Sequence, residues 1–102
     1  MLQLIEQHRV EIEALCRRYS VRRLELFGSA ARGDYKPAIS DLDFMVEFTD
    51  YAVPGIADQW FGLQEGLEGL FGVKVELVSA RTARNPYFLE TINRDKVLLF
   101  AA

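Results

Sequence analysis

The residues best suited to chemistry in this sequence are three carboxylates and one glycine-serine turn. Asp41 and Asp43 fall in Ser40-Asp41-Leu42-Asp43, and Glu76 falls in Val73-Lys74-Val75-Glu76-Leu77. Read as a strand, 41–48 alternates, with Leu42, Phe44, Val46 and Phe48 on one face and Asp41, Asp43, Met45 and Glu47 on the other. Alternate residues of a strand lie about 7 Å apart at Cα, so two bare carboxylates there repel unless a cation sits between them. The same alternation over 73–78 sends Val73, Val75 and Leu77 to the core and Lys74 and Glu76 to the opposite face. If the two strands are neighbours, Glu76 joins Asp41 and Asp43. Three oxygen donors with no His or Cys nearby suit a hard cation, Mg²⁺ before Zn²⁺. A single Asp on an exposed strand face is ordinary solvated surface. Asp-Leu-Asp behind a Gly-Ser turn is not, because strands disfavour Asp.

Gly28-Ser29 closes the short apolar run 21–27, just ahead of the carboxylate strand. Glycine lets a phosphate approach the backbone, and a following turn of helix directs free N–H groups at it. The Ser29 hydroxyl adds a donor. Arg32 adds a charge-assisted one, with a salt bridge to Asp34 or Glu25 as the alternative. A Gly-Ser pair alone is only a turn; its weight here comes from its place between two strands.

The elements that must hold these groups are legible from period and punctuation. Ile5, His8, Ile12, Leu15, Cys16 and Tyr19 recur at helical spacing. Val21–Phe27 reads as a strand, 29–34 as a short turn of helix, and 35–40 as a loop containing Pro37. Pro54 opens a longer helix with the stripe Trp60, Leu63, Leu67, Leu70 and Phe71, closed by Gly72. Gly62, Gly66 and Gly69 inside it cost about 1 kcal/mol each against Ala, so it depends on packing. Asn85-Pro86 is an N-cap and first-turn pair for a last helix to about Asn93, and 97–100 is a final short strand. The fold class expected is α/β in the α+β sense: a mixed sheet of about four strands with helices on one face.

The chain has 102 residues, which is one domain, 1–102. With 12 Lys and Arg against 15 Asp and Glu, the formal charge is −3, which argues against wrapping nucleic acid. One cysteine excludes an internal disulfide and a Cys-based metal cluster. No apolar run approaches the roughly 20 residues that cross a bilayer, and the first residues do not resemble a signal peptide. The expected location is cytoplasmic, without a membrane partner.

Taken together, LFGSAARGDYKPAISDLDFMVEF resembles the nucleotidyltransferase superfamily of DNA polymerase beta. Within it the chain is most similar to the minimal nucleotidyltransferases that serve as antitoxins beside HEPN-domain toxins. The matching motifs are Gly28-Ser29, Ala31-Arg32-Gly33, Ser40-Asp41-Leu42-Asp43, Glu76 on a later strand, and the ending YFLETINRDKVLLF. The loop before Asp41 is one residue longer than usual, and Glu76 stands where Asp is commoner.

The resemblance implies transfer of a nucleoside monophosphate, typically AMP from ATP, to a hydroxyl. In the antitoxin relatives that hydroxyl is a tyrosine of the HEPN toxin. It further implies two Mg²⁺ ions held by Asp41, Asp43 and Glu76, and phosphates held by Gly28, Ser29 and Arg32. Larger relatives carry domains that grip base and acceptor. Here a partner protein or a second copy of the chain must supply those contacts. The alternative function is a non-catalytic binding subunit that inhibits its partner by contact; a nucleic-acid or small-molecule acceptor is chemically open.

Other residues read as structural. His8 lies on the apolar stripe, Cys16 is a small buried hydrophobe, and Trp60, Phe61 and Phe71 fit core or subunit packing. Arg17, Arg18, Arg22 and Arg23 are a solvated helix end or a contact for an acidic partner or RNA. Lys74 either touches substrate phosphate or pairs with a neighbour. Arg81, Arg84 and Tyr87 are candidates for the rim of the pocket.

Overall fold

The computed structural model describes residues 2–36, 40–52 and 54–102. The middle of the loop expected over 35–40, with Pro37, lies outside them. In chain order the elements are α1 (Leu2–Gln7), α2 (Arg9–Arg18), β1 (Val21–Phe27), α3 (Gly28–Arg32), β2 (Leu42–Phe48), α4 (Ile56–Phe71), β3 (Val75–Ser79), α5 (Pro86–Asp95) and β4 (Val97–Ala101).

The four strands form one mixed sheet in the order β3-β2-β1-β4. β1 is antiparallel to β2 and to β4, while β2 and β3 run parallel. Alternation decides the layers. Leu24, Leu26, Leu42, Phe44, Val46, Phe48 and Val75 pack with Ile12, Cys16, Leu63 and Leu67 of α2 and α4 into the main core. The other face carries a smaller cluster, in which Ile92 and Leu89 of α5 meet Phe27 and Met45. The mixed four-stranded sheet is as expected, but the helices are not confined to one face: α5 packs on the face opposite α2 and α4, because Phe27 and Met45 offer apolar surface there.

Three local departures have physical causes. The first helix is two, parted at His8, whose backbone leaves the helical region (φ −106°, ψ 20°). There the His8 ring meets Phe71 edge-on at 5.5 Å and its Nδ1 lies 2.9 Å from the Leu4 carbonyl oxygen, so the break is packed. Pro54 does not open α4: Gly55, in the left-handed region at φ 88°, is its N-cap, and the helix begins at Ile56. Gly62 and Gly66 mark where α2 crosses α4. A Cβ at Gly62 would overlap the Tyr19 ring, and one at Gly66 would lie 2.7 Å from a Leu15 methyl carbon. The helix cost of these two glycines is offset by close approach.

Asn85 and Pro86 cap α5 as expected, the Asn85 side chain accepting from the Tyr87 and Phe88 amides. Glu25, buried on the α5 face, is paired with Lys96 at 3.1 Å and Arg23 at 3.4 Å, not with Arg32.

Candidate active site

Strand register assembles the acidic group. Phe27 pairs with Asp43 across β1 and β2, and Asp43 pairs with Glu76 across β2 and β3. Neighbouring strands are about 4.8 Å apart, so the Asp43 and Glu76 side chains stand beside one another on one face. Asp41 lies just before β2, whose first amide, Leu42 N–H, donates to the Lys74 carbonyl at 3.0 Å. Ser40 secures the approach: its N–H donates to Lys36 O at 2.8 Å and its hydroxyl accepts from Lys36 N–H at 3.1 Å.

The turn after β1 closes on these acids. Gly28 has φ 76°, and a Cβ placed there would overlap the Asp43 carboxylate. Glycine is therefore required twice at one position, for the left-handed backbone and for the close approach. α3 follows, ending at Gly33 in the left-handed conformation.

Asp41, Asp43, Glu76, Gly28, Ser29 and Arg32 line one cavity of about 400 Å³. Ser40, Phe88, Thr91 and Ile92 complete its wall. The last three come from α5, and composition gave no warning of them: a mixed helix stripe does not say which sheet face it will meet. Phe88 stands perpendicular to Phe27 at 5.8 Å, and Thr91 Oγ1 donates to Tyr87 O at 2.9 Å. Arg81, Arg84 and Tyr87 do not line this cavity. Arg81 instead stacks on Tyr51 at 4.8 Å. Arg32 points both ways at once, lining the cavity while pairing with Asp34 at 3.4 Å.

Charge at the centre is unbalanced. Burial, then the charges of Glu76 and Asp41, push the Asp43 carboxyl up from 3.8 to about 6; a hydrogen bond with Glu76 adds to the rise and Arg32 opposes it. Among the described residues no three Asp, Glu, His or Cys side chains are already gathered into a coordinating set. The acids share a cavity, and their mutual repulsion is felt at Asp43. The donor chemistry fits a hard divalent cation, because carboxylates sharing one cavity are stabilised by a positive charge set between them.

A family model described as nucleotidyltransferase domain matches residues 10–99. The chain belongs to that family. It is an enzyme of the nucleotidyltransferase type. A relative from Methanocaldococcus jannaschii, provisionally named a protein adenylyltransferase, is 38% identical over 80 residues, 78% of this chain and 78% of that one. Protein adenylyltransferase MntA of Thermococcus cleftensis is 35% identical over 94 residues, 92% of this chain and 87% of that one. A solved structure provisionally assigned as a minimal nucleotidyltransferase superposes with a TM-score of 0.75 at 33% identity, covering 94% of this chain and 93% of that one. A chain from the complex of a tri-AMPylated HEPN toxin with an MNT antitoxin of Shewanella oneidensis superposes with a TM-score of 0.64. It is 20% identical and covers 96% of this nucleotidyltransferase and 73% of that chain, a likeness of fold.

Proposed function

We propose that this nucleotidyltransferase moves AMP from ATP, with Mg²⁺, to a tyrosyl hydroxyl of a HEPN-type partner, and so acts as an antitoxin. The observation that carries the reading is the contact between Gly28 and the Asp43 carboxylate, beside Glu76 and Asp41. It sets a glycine turn against an acidic cluster whose charge calls for a cation. The adenylyltransferase names of the relatives support an adenylyl donor, and the HEPN complex of the structural neighbour supports that acceptor class.

Asp41, Asp43 and Glu76 are the carboxylates that would hold the metal, and bound Mg²⁺ would supply charge neutralisation of the triphosphate and a more acidic acceptor hydroxyl. The Gly28 and Ser29 backbone and the Ser29 hydroxyl hold the β- and γ-phosphates, with Arg32 as an added donor. The acceptor oxygen forms a bond to the α-phosphorus as the bond from that phosphorus to the bridging oxygen breaks. Pyrophosphate departs with the electron pair, and the hydroxyl proton passes to the Glu76 carboxylate and on to water.

The test is intact-mass spectrometry of a co-expressed HEPN-type partner after incubation with Mg²⁺ and ATP. Wild type should add an adenylyl increment to the partner. Glu76→Gln should slow the addition by at least ~100-fold, the low end of what positioned acid–base groups contribute, while partner binding persists. If wild type and variant neutralise the partner equally and neither adds mass, inhibition by contact replaces the enzymatic reading.

A further inference from the structure

Asp41 and Glu76 belong to two cavities. Beyond the one shared with Gly28 and Ser29, they wall a second, of about 310 Å³, completed by Trp60, Gln64, Lys74, Val75 and Leu77. Its walls are fixed. Gln64 Nε2 donates to the Val75 carbonyl at 2.9 Å, and the Glu68 carboxylate accepts from the Val75 amide at 3.1 Å, so α4 is pinned to the edge strand β3. Trp60 leans on Phe48 with ring centres 6.1 Å apart. Lys74 is exposed and makes no ion pair among the described residues.

Phosphoryl-group transfer places the attacking and leaving oxygens in line, on opposite sides of phosphorus. With pyrophosphate held at Gly28 and Ser29, the acceptor must arrive from across the carboxylates. The second cavity shares Asp41 and Glu76 with the first but none of Gly28, Ser29 and Arg32, and Lys74 lines only the second. We propose that this cavity is the acceptor subsite, taking a tyrosyl ring against Trp60, and that Lys74 is a specificity-determining residue pairing with a carboxylate beside the tyrosine. The inference rests on the adenylyl-transfer reading above. A peptide acceptor carrying a carboxylate beside the tyrosine fits better than a polyanion, since among the described residues Lys74 is the one cation lining this cavity, against Asp41 and Glu76.

The experiment measures AMP transfer from ATP to two tyrosyl peptides, one with Glu on both sides of Tyr and one with Lys on both sides. Wild type should favour the acidic peptide by ~10-fold in kcat/KM, and Lys74→Glu should invert the preference while KM for ATP moves less than ~2-fold. Lys74→Arg should keep the wild-type preference. A preference unchanged by Lys74→Glu overturns the subsite assignment, as does a raised KM for ATP with the acceptor preference intact. In both cases the transfer reading survives, because wild type still labels peptide. Labelling of neither peptide while the HEPN-type partner is labelled overturns the subsite and leaves the transfer reading standing; labelling of neither peptides nor partner removes both.

Discussion

The two faces of β2 are built from the same seven residues and serve opposite ends. On one, Leu42, Phe44 and Val46 are fully buried and Phe48 nearly so, packed under α2 and α4. On the other, Met45 is covered by α5, but Asp43 beside it is only half-buried and sits among like charges. The difference teaches how an acidic cluster survives in a small domain. Apolar burial on one face fixes the strand register, and that register then holds carboxylates together that would separate if free. Coverage of the second face stops where the cavity opens.

The largest expected effect lies on the core face. Phe44→Ala should cost about 3–5 kcal/mol in urea unfolding, and a loss below about 1 kcal/mol would contradict the division of labour between the faces. Gly28→Ala comes next. It forces a left-handed residue, worth about 1–2 kcal/mol, and drives a methyl into the Asp43 carboxylate. Binding of Mg²⁺-ATP should be lost while circular dichroism still reports a folded chain.

A smaller effect concerns pH. The folded-state Asp43 pKa, about 6, is above the ordinary 3.8, so the folded chain holds an extra proton between those values. Stability contributed by that proton is present below about 4 and lost as pH rises through about 6. Asp43→Asn should flatten this part of the metal-free melting-temperature profile; an unchanged slope would assign it to another group. The smallest effect is at Cys16, whose thiol burial, then Glu13, push up to about 12 against Arg17. It should resist a thiol reagent at pH 8 until the protein unfolds, and rapid labelling of the native chain would show the α2 face to be open.

Period and punctuation made much of this legible. Alternation over 41–48 and 73–78 separated core from carboxylate face, and the motif residues Gly28, Ser29, Arg32, Asp41, Asp43 and Glu76 all meet in one cavity. What stayed hidden depends on contacts between distant segments. The break at His8 is packed against Phe71, and Gly62 and Gly66 admit Tyr19 and Leu15. The cavity wall of Phe88, Thr91 and Ile92 depends on which face α5 crosses, and the pairing of Glu25 with Lys96 brings together residues far apart in sequence. Lys74 could not be placed from sequence because its face was known but the cavities on either side of Glu76 were not.

Calorimetric titration with ATP, in Mg²⁺ and in EDTA, of wild type beside Asp43→Asn shows whether the carboxylate face holds metal and nucleotide. Wild type should bind ATP with Mg²⁺ and lose that binding in EDTA, and Asp43→Asn, folded and at least as heat-stable without metal, should show no Mg²⁺-dependent binding. Equal Mg²⁺-dependent affinity in the two proteins would contradict the assignment of the carboxylate face as the nucleotide and metal site.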